Sequence, residues 1–379
     1  MTISYPNIHG LWLRRFCLTL LLASGMFLLC ACAGKGSPDE PDDDQALATL
    51  ALRIAVNLYS TDVSRAAQAP SLNKISGADL DKMHTLRIII LDGNDVVEHN
   101  AFIDFSADPT YIDEEETFLV KRNDTKTILF VANEEFVNIT LPSGQTMPAS
   151  DFLNSLSAAA GSIADLGMIR KIILQTADNH SADSPELSIN SPMAITAIYN
   201  YRIGNAANYH RHFYLHRAAV KFSYTFENKS DSPVTIREIG LNNMAQRQYL
   251  FPDADFTNDR QTAFSAYRTP DSSGSTASCH CNLTIPARGS AELPPLYFPE
   301  GHNSGSSNPY TIRFIVDDIS TGWTPIYWHP EGNDIKSLMT DLPRNTHIMV
   351  IASFELGKVT LRYTVCPWMK SEIDIPDFN

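Results

Sequence analysis

The chain has 379 residues, with 43 acidic against 29 basic side chains, a net charge of −14, and 44% apolar residues. That length is too great for one ordinary core and suits two domains. Nucleic acid is excluded as a partner, because phosphate binding needs clustered Lys and Arg and the sequence has no basic stripe.

Residues 1–31 have the three parts of a secretory signal: Arg14 and Arg15, an apolar run from Phe16 to Ala31, then small residues. The run is short for a membrane span, which wants about 20 apolar residues. An acidic stretch, Asp39 to Asp44, follows it in place of a Lys/Arg stop-transfer flank. Leu29-Cys30-Ala31-Cys32 reads as a bacterial lipobox with Cys32 as the acylated residue, the acyl chains being of the palmitate type. Cys30 competes for that role, but bulky Leu29 sits before it, and a plain secretory peptide is the simpler alternative. Residues 32–45 are then an acidic tether, solvated because its composition cannot build a core. It serves as a spacer, or as an export signal of the kind found behind the lipidated cysteine of Bacteroidales surface lipoproteins. The expected location is the cell surface, anchored to the outer membrane by lipid.

From Ala46 the texture changes to short runs of β-branched and aromatic residues separated by Asn, Asp, Gly and Pro, the pattern of antiparallel sheets. Strands are expected at 48–59, 85–92, 117–132, 168–175, 194–203, 213–226, 233–241, 281–286, 310–318 and 346–366. Thr85 to Leu91 and Ile128 to Val131 are apolar on both faces and should be central strands. Asp92-Gly93-Asn94-Asp95 predicts a hairpin turn. One helix is expected over 151–166, capped by Ser150. A boundary between the loop 204–211 and the strand opening at His212 gives domains of 66–211 and 212–379. The fold class is mostly β, two sandwiches in tandem.

Four segments in order, TLRIIILD with TILFVANEE, SPMAIT, FYLHRAAVKFSYTFEN with IGLNNM, and LPRNTHIMV running to LRYTVCPW, resemble the fimbrillin superfamily, the type V pilin lipoproteins of Bacteroidales. The resemblance spans residues 46–379. It implies two transthyretin-like β-sandwich domains, no enzymatic activity, and a structural and adhesive role in a surface fimbrium whose partners are other fimbrial subunits. It also implies cleavage after an arginine by an Arg-specific protease. Arg65 matches by position, leaving Ala66 as the new N-terminus and making 46–65 a removable strand segment whose groove accepts a neighbour's C-terminal strand by donor-strand exchange. Residues 357–379 are the candidate donor. Three alternatives stand beside this. Ala48 to Tyr59 can be a permanent strand, with Arg53 also in range of the protease; 357–379 can complete its own sheet; and the chain can be a non-polymerising anchor or tip.

For catalysis the chain lacks Gly-x-Ser-x-Gly, phosphate-loop and dinucleotide patterns, and no cofactor is expected. Cys279-His280-Cys281, with His302 in a nearby loop, looks like a metal corner, but zinc sites favour Cys-x-x-Cys pairs. A disulfide of Cys366 with Cys279 or Cys281, or buried thiols, is the preferred reading. Trp323, Tyr327 and Trp328 cluster with Tyr310 and His329 in one short region. They offer either a contact surface for a host or bacterial surface ligand, as in a glycan-binding lipoprotein, or a cap on the core.

Overall fold

The computed structural model describes residues 46–56, 81–110, 115–157, 161–175, 192–252, 256–257, 275–303, 309–328, 337–355 and 358–367. The first sandwich is built from β1 (Leu47–Val56), β2 (Thr85–Leu91), β3 (Val97–Asp104), β4 (Glu116–Lys121), β5 (Thr125–Ala132), β6 (Ile195–Arg202) and β7 (Asn208–Arg217). The strand path runs β3-β2-β5-β6-β7-β1-β4. It folds in two at the β6–β7 join, where only Thr196 and Ile195 pair with His216 and Arg217. A four-stranded layer, β3-β2-β5-β6, thus faces a three-stranded layer, β7-β1-β4, across one core. Phe213 of β7 packs 5.3 Å from Phe130 of β5 and 4.7 Å from Tyr199 of β6, ring centre to ring centre.

β2 and β5 are buried on both faces, as their continuous apolar runs require. Their second face, with Ile89, Leu129 and Val131, packs against Phe152 and Leu153 of α1 (Ala149–Ser155) and against Leu250 and Phe251. The predicted helix over 151–166 is two short pieces, α1 and α2 (Leu166–Ile169). Between them the backbone is taken by β pairing: Ile163 bridges Val96, and the Val97 amide donates to the Ser162 carbonyl at 2.9 Å. The hairpin turn at 92–95 is present. Asp92 Oδ1 accepts the Asn94 and Val96 amides at 2.9 and 3.0 Å, and Asp95 takes the left-handed conformation, φ 61°.

The second sandwich pairs two sheets. One is β11 (Ser290–Phe298), β8 (Val220–Asn228), β15 (Thr346–Glu355) and β16 (Lys358–Pro367), in that order. The other is β10 (Ser275–Ile285), β9 (Val234–Met244), β12 (Thr311–Val316) and β13 (Ile319–Ser320), with β14 (Thr324–Pro325) also on β12. Between them lies an aromatic core in which Phe314 packs 5.7 Å from Phe226 and 6.2 Å from Phe354.

Three expected strands divide. The 117–132 run breaks at Asn123, φ 55°, into β4 and β5. The 346–366 run is the β15–β16 hairpin. The 213–226 run divides at Ala218-Ala219, because β7 belongs to the first sandwich and β8 to the second. The sequence boundary at 211/212 therefore falls inside β7, and the chain changes sandwich after Arg217.

Buried cations fasten the seam around that crossing. Arg344 donates to Thr196 Oγ1 at 3.1 Å, to the Leu250 carbonyl at 2.9 Å and to the Tyr249 carbonyl at 2.7 Å, and it pairs with Glu300. Arg217 reaches the Asp81 carbonyl at 3.3 Å and Asn345 Oδ1 at 3.2 Å. A charge this deeply buried is tolerable only when its hydrogens are accepted, as these carbonyls do.

Candidate functional site

β1 is the middle strand of its layer. It runs parallel to β7, from Thr49 opposite Asn208 to Val56 opposite Leu215, and antiparallel to β4, from Leu47 opposite Lys121 to Leu52 opposite Glu116. Period-two alternation sends Leu50, Leu52, Ile54 and Val56 into the core, all at 0 to 1% exposure. Thr49, Arg53 and Ala55 lie half-buried on the other face. Taking β1 away would leave an apolar slot walled by two unpaired strand edges, a template that strongly favours an added strand.

The way β1 connects to the rest suits removal. Val56 pairs with Leu215, and Asp81, where the described chain resumes, accepts from Arg217 two residues along β7. Residues 57–80 thus join a residue paired with β7 to one reached by a side chain of β7 two positions on, far more chain than such a gap requires. Arg65 and Ala66 fall in this connection, and Arg65 is its only arginine. Arg65, Ala66 and the lipidation candidate Cys32 all lie outside the described residues. Of the candidate donor, 358–367 is β16, a full partner of β15 in the protein's own sheet; residues 368–379 lie outside the described set.

The aromatic group divides. Trp323 is 40% exposed, and the Arg313 guanidinium lies 4.8 Å from its ring centre. Arg313 is in turn paired to Glu238 at 2.7 Å. A Cβ at Gly240 would come within 2.8 Å of Arg313 Cγ and 3.0 Å of Trp323 Cη2, so the glycine seats the stack against the sheet. Tyr310 is core, 1% exposed. Tyr327 is half-buried and faces the cleft between the sheets; the Trp328 side chain and His329 lie outside the described residues.

The metal corner does not form. Strand alternation turns Cys279 and Cys281 toward the core and leaves His280 exposed on the opposite face beside Glu238. The Cys366 side chain lies outside the described residues. Asp92, Glu98 and Asp124 bring three carboxylates within 4.8 Å of one another, and Lys126 occupies that charge. Its ammonium, fully buried, sits 2.8 Å from Glu98 and 2.7 Å from Asp124. That cluster reads as an ion network centred on Lys126, with Glu98 Oε2 left without a hydrogen-bond partner among the described residues.

Neither a family model nor a curated relative matches the sequence. Among solved structures, a candidate cell adhesion protein from Parabacteroides distasonis aligns with 86% of this chain and 98% of its own, at 12% identity and a TM-score of 0.53. This chain shares its fold. The tip fimbrial protein Mfa3 from Porphyromonas gingivalis aligns with 85% of this chain and 100% of its own, at 13% identity and a TM-score of 0.47. The fimbrial anchor protein Mfa2 from the same organism aligns with 86% and 100%, at 8% identity and 0.40.

The walls of the β1 slot, β4 and β7, overlap strands expected at 117–132 and 213–226; what local pattern reading missed is that both pair with β1. Glu116-Thr-Phe-Leu-Val-Lys121 alternates, and Phe213 and Leu215 alternate with His212, Tyr214 and His216. Neither segment says which strand it pairs with.

Proposed function

We propose that this chain is a structural subunit of a cell-surface fimbrium, with β1 as a replaceable strand. The observation that carries this reading is the position of β1 in the centre of a three-stranded layer, joined onward by a connection much longer than its gap. Lipidation at Cys32 would hold the precursor to the outer membrane. Cleavage after Arg65 would leave β1 held only by non-covalent contacts, and a strand from a neighbouring subunit, with 368–379 as the donor segment, would take its place. Burial of Leu50, Leu52, Ile54 and Val56, at about 1.5 to 3 kcal/mol each, gives the incoming strand a comparable apolar reward. No chemistry is asked of the protein.

The test is treatment of the purified precursor with an Arg-specific protease. The expected result is a single cut after Arg65, loss of the segment containing β1, and a ladder of oligomers that survives mild detergent. A cut at Arg65 that yields only monomers refutes polymerisation and leaves the anchor or tip reading. Replacement of Cys32 should release the protein from membranes, and retention would refute the lipid anchor.

A second reading, contact with a host or bacterial surface glycan, is favoured by Trp323, an exposed indole held flat by Arg313 over Gly240. A glycan-array signal that survives Trp323→Ala would exclude it.

A further inference from the structure

The outer face of the β7-β1-β4 layer carries a set of metal-ligating side chains that a purely structural role leaves unused. On β7, His210 and His212 are both exposed. Being two apart on one strand, they project from the same side, with Cα atoms about 7 Å apart. On the far side of β1, Glu115 leads into β4 and sets its carboxylate 3.4 Å from His210 Nδ1. Ala51 of β1 lies between them, opposite His210 on one side and Thr117 on the other, and is only 3% exposed although it faces outward. The two side chains thus meet over β1, and the small residue beneath gives them room.

Their separation is that of two ligands on one ion. A hydrogen bond between nitrogen and oxygen would close to about 2.7–3.2 Å. Two atoms each bound at about 2.0–2.2 Å to a tetrahedral centre stand about 3.4 Å apart. Imidazole nitrogens with one carboxylate suit zinc, nickel or copper, whereas magnesium and calcium take oxygen ligands.

We propose that His210, His212 and Glu115 bind a zinc-class divalent ion, which staples β7 to the start of β4 across the outer face of β1. The three ligand atoms do not all lie within 4.8 Å of one another with His212 as it stands. Its exposed side chain turns toward the other two on binding, and water completes the tetrahedron. Arg53 faces outward opposite His212, and its charge opposes that of the ion.

The site rests on this face alone; its consequence for β1 rests on the replaceable-strand reading. The inward side of β1 is against the core, so the strand leaves outward, through the staple.

Calorimetric titration of the purified precursor with zinc chloride tests the site. One ion per chain is expected, retained in excess magnesium. His210→Gln, His212→Gln and Glu115→Gln should each weaken binding at least about tenfold, and Arg53→Gln should tighten it. The three ligands are exposed, so these variants should match the wild type in urea unfolding without zinc, which separates lost binding from lost fold. His280→Gln should leave binding unchanged. No stoichiometric uptake, uptake that survives loss of both His210 and His212, or uptake lost with His280 would each overturn the site. After a cut at Arg65, zinc at about ten times its dissociation constant should slow departure of the β1 segment about tenfold, with a chelator restoring the rate. Equal rates in a chain that binds zinc would overturn the staple. A chain that binds zinc through these residues but is never cut at Arg65 keeps the metal site and loses the replaceable-strand reading.

Discussion

If β1 is a replaceable strand, its grip after cleavage must come from its inward side chains. Ile54 is the sharpest place to test this. It is fully buried opposite Phe213, whose ring is wedged against Phe130 and Tyr199 at 5.3 and 4.7 Å. Those rings cannot collapse into a void, so Ile54→Ala should cost toward the upper part of the usual range of about 2 to 5 kcal/mol. At about 1.4 kcal/mol per tenfold, the cut segment should be held more weakly by a factor of about 300 to several thousand. Ile54→Val, losing one methylene, should cost about 0.5 to 1.5 kcal/mol. Thr49→Ala, on the half-buried outer face, is the control. The assay is cleavage after Arg65, gel filtration, and mass spectrometry of the segment retained. Equal retention by the Ile54→Ala and Thr49→Ala proteins would refute the claim that core burial holds β1.

Other consequences follow from the same geometry. His216 and His347 are buried, and burial, helped by Arg344 and Arg217 for the first and by Lys221 for the second, pushes each down from 6.5 to about 3. Each binds a proton more readily unfolded than folded, so stability is full above pH 6.5 and falls as pH drops toward 3, with a slope approaching about 1.4 kcal/mol per pH unit per histidine. Urea unfolding of the wild type and of His216→Gln between pH 7 and 4 measures that slope, which should be shallower in the variant. Lys126→Met would leave Asp92, Glu98 and Asp124 together without their buried cation and should cost on the order of 3 to 5 kcal/mol by chemical denaturation; a neutral result would mean the carboxylates are solvated. Gly240→Val should push Arg313 and Trp323 off the sheet and red-shift tryptophan emission, and an unchanged spectrum would place that ring elsewhere.

How far the sequence foretold this depends on how local the information is. Central strands β2 and β5 were legible because burial on both faces leaves a continuous apolar run, and the turn at 92–95 because Asp-Gly-Asn-Asp carries its own hydrogen-bond acceptor. The inward face of β1 was legible from strict alternation. Its parallel pairing with β7 was not, since nothing in residues 47–56 refers to residues 208–217. Nor was the helix end foreseeable, where Ser162, Ile163 and Ala164 leave helical spacing to pair with 95–97. Arg344 and Asp81 sit in polar stretches that resemble surface loops, and Arg217 in a run that reads as one unbroken strand, yet they form the buried seam between the sandwiches. Cys279-His280-Cys281 misleads for the opposite reason: adjacency in a strand separates side chains onto opposite faces.

The length of the connection 57–80 gives the exchange idea its thermodynamic sense. While it is intact, β1 is an intramolecular ligand for its slot, with the advantage in effective concentration that covalent attachment gives. A competing strand from another subunit must overcome that advantage in addition to matching Leu50, Leu52, Ile54 and Val56. One peptide-bond cleavage at Arg65 would remove the advantage while β4 and β7 remain paired to β1 until something better arrives. Cutting should therefore be a licence and not a trigger: a cut subunit with no competitor should keep its β1 segment for long periods. Added peptide 368–379 or a second subunit should accelerate the loss. A segment that leaves at once on cutting, with or without competitor, would mean the contacts of β1 are too weak for any strand to replace them durably.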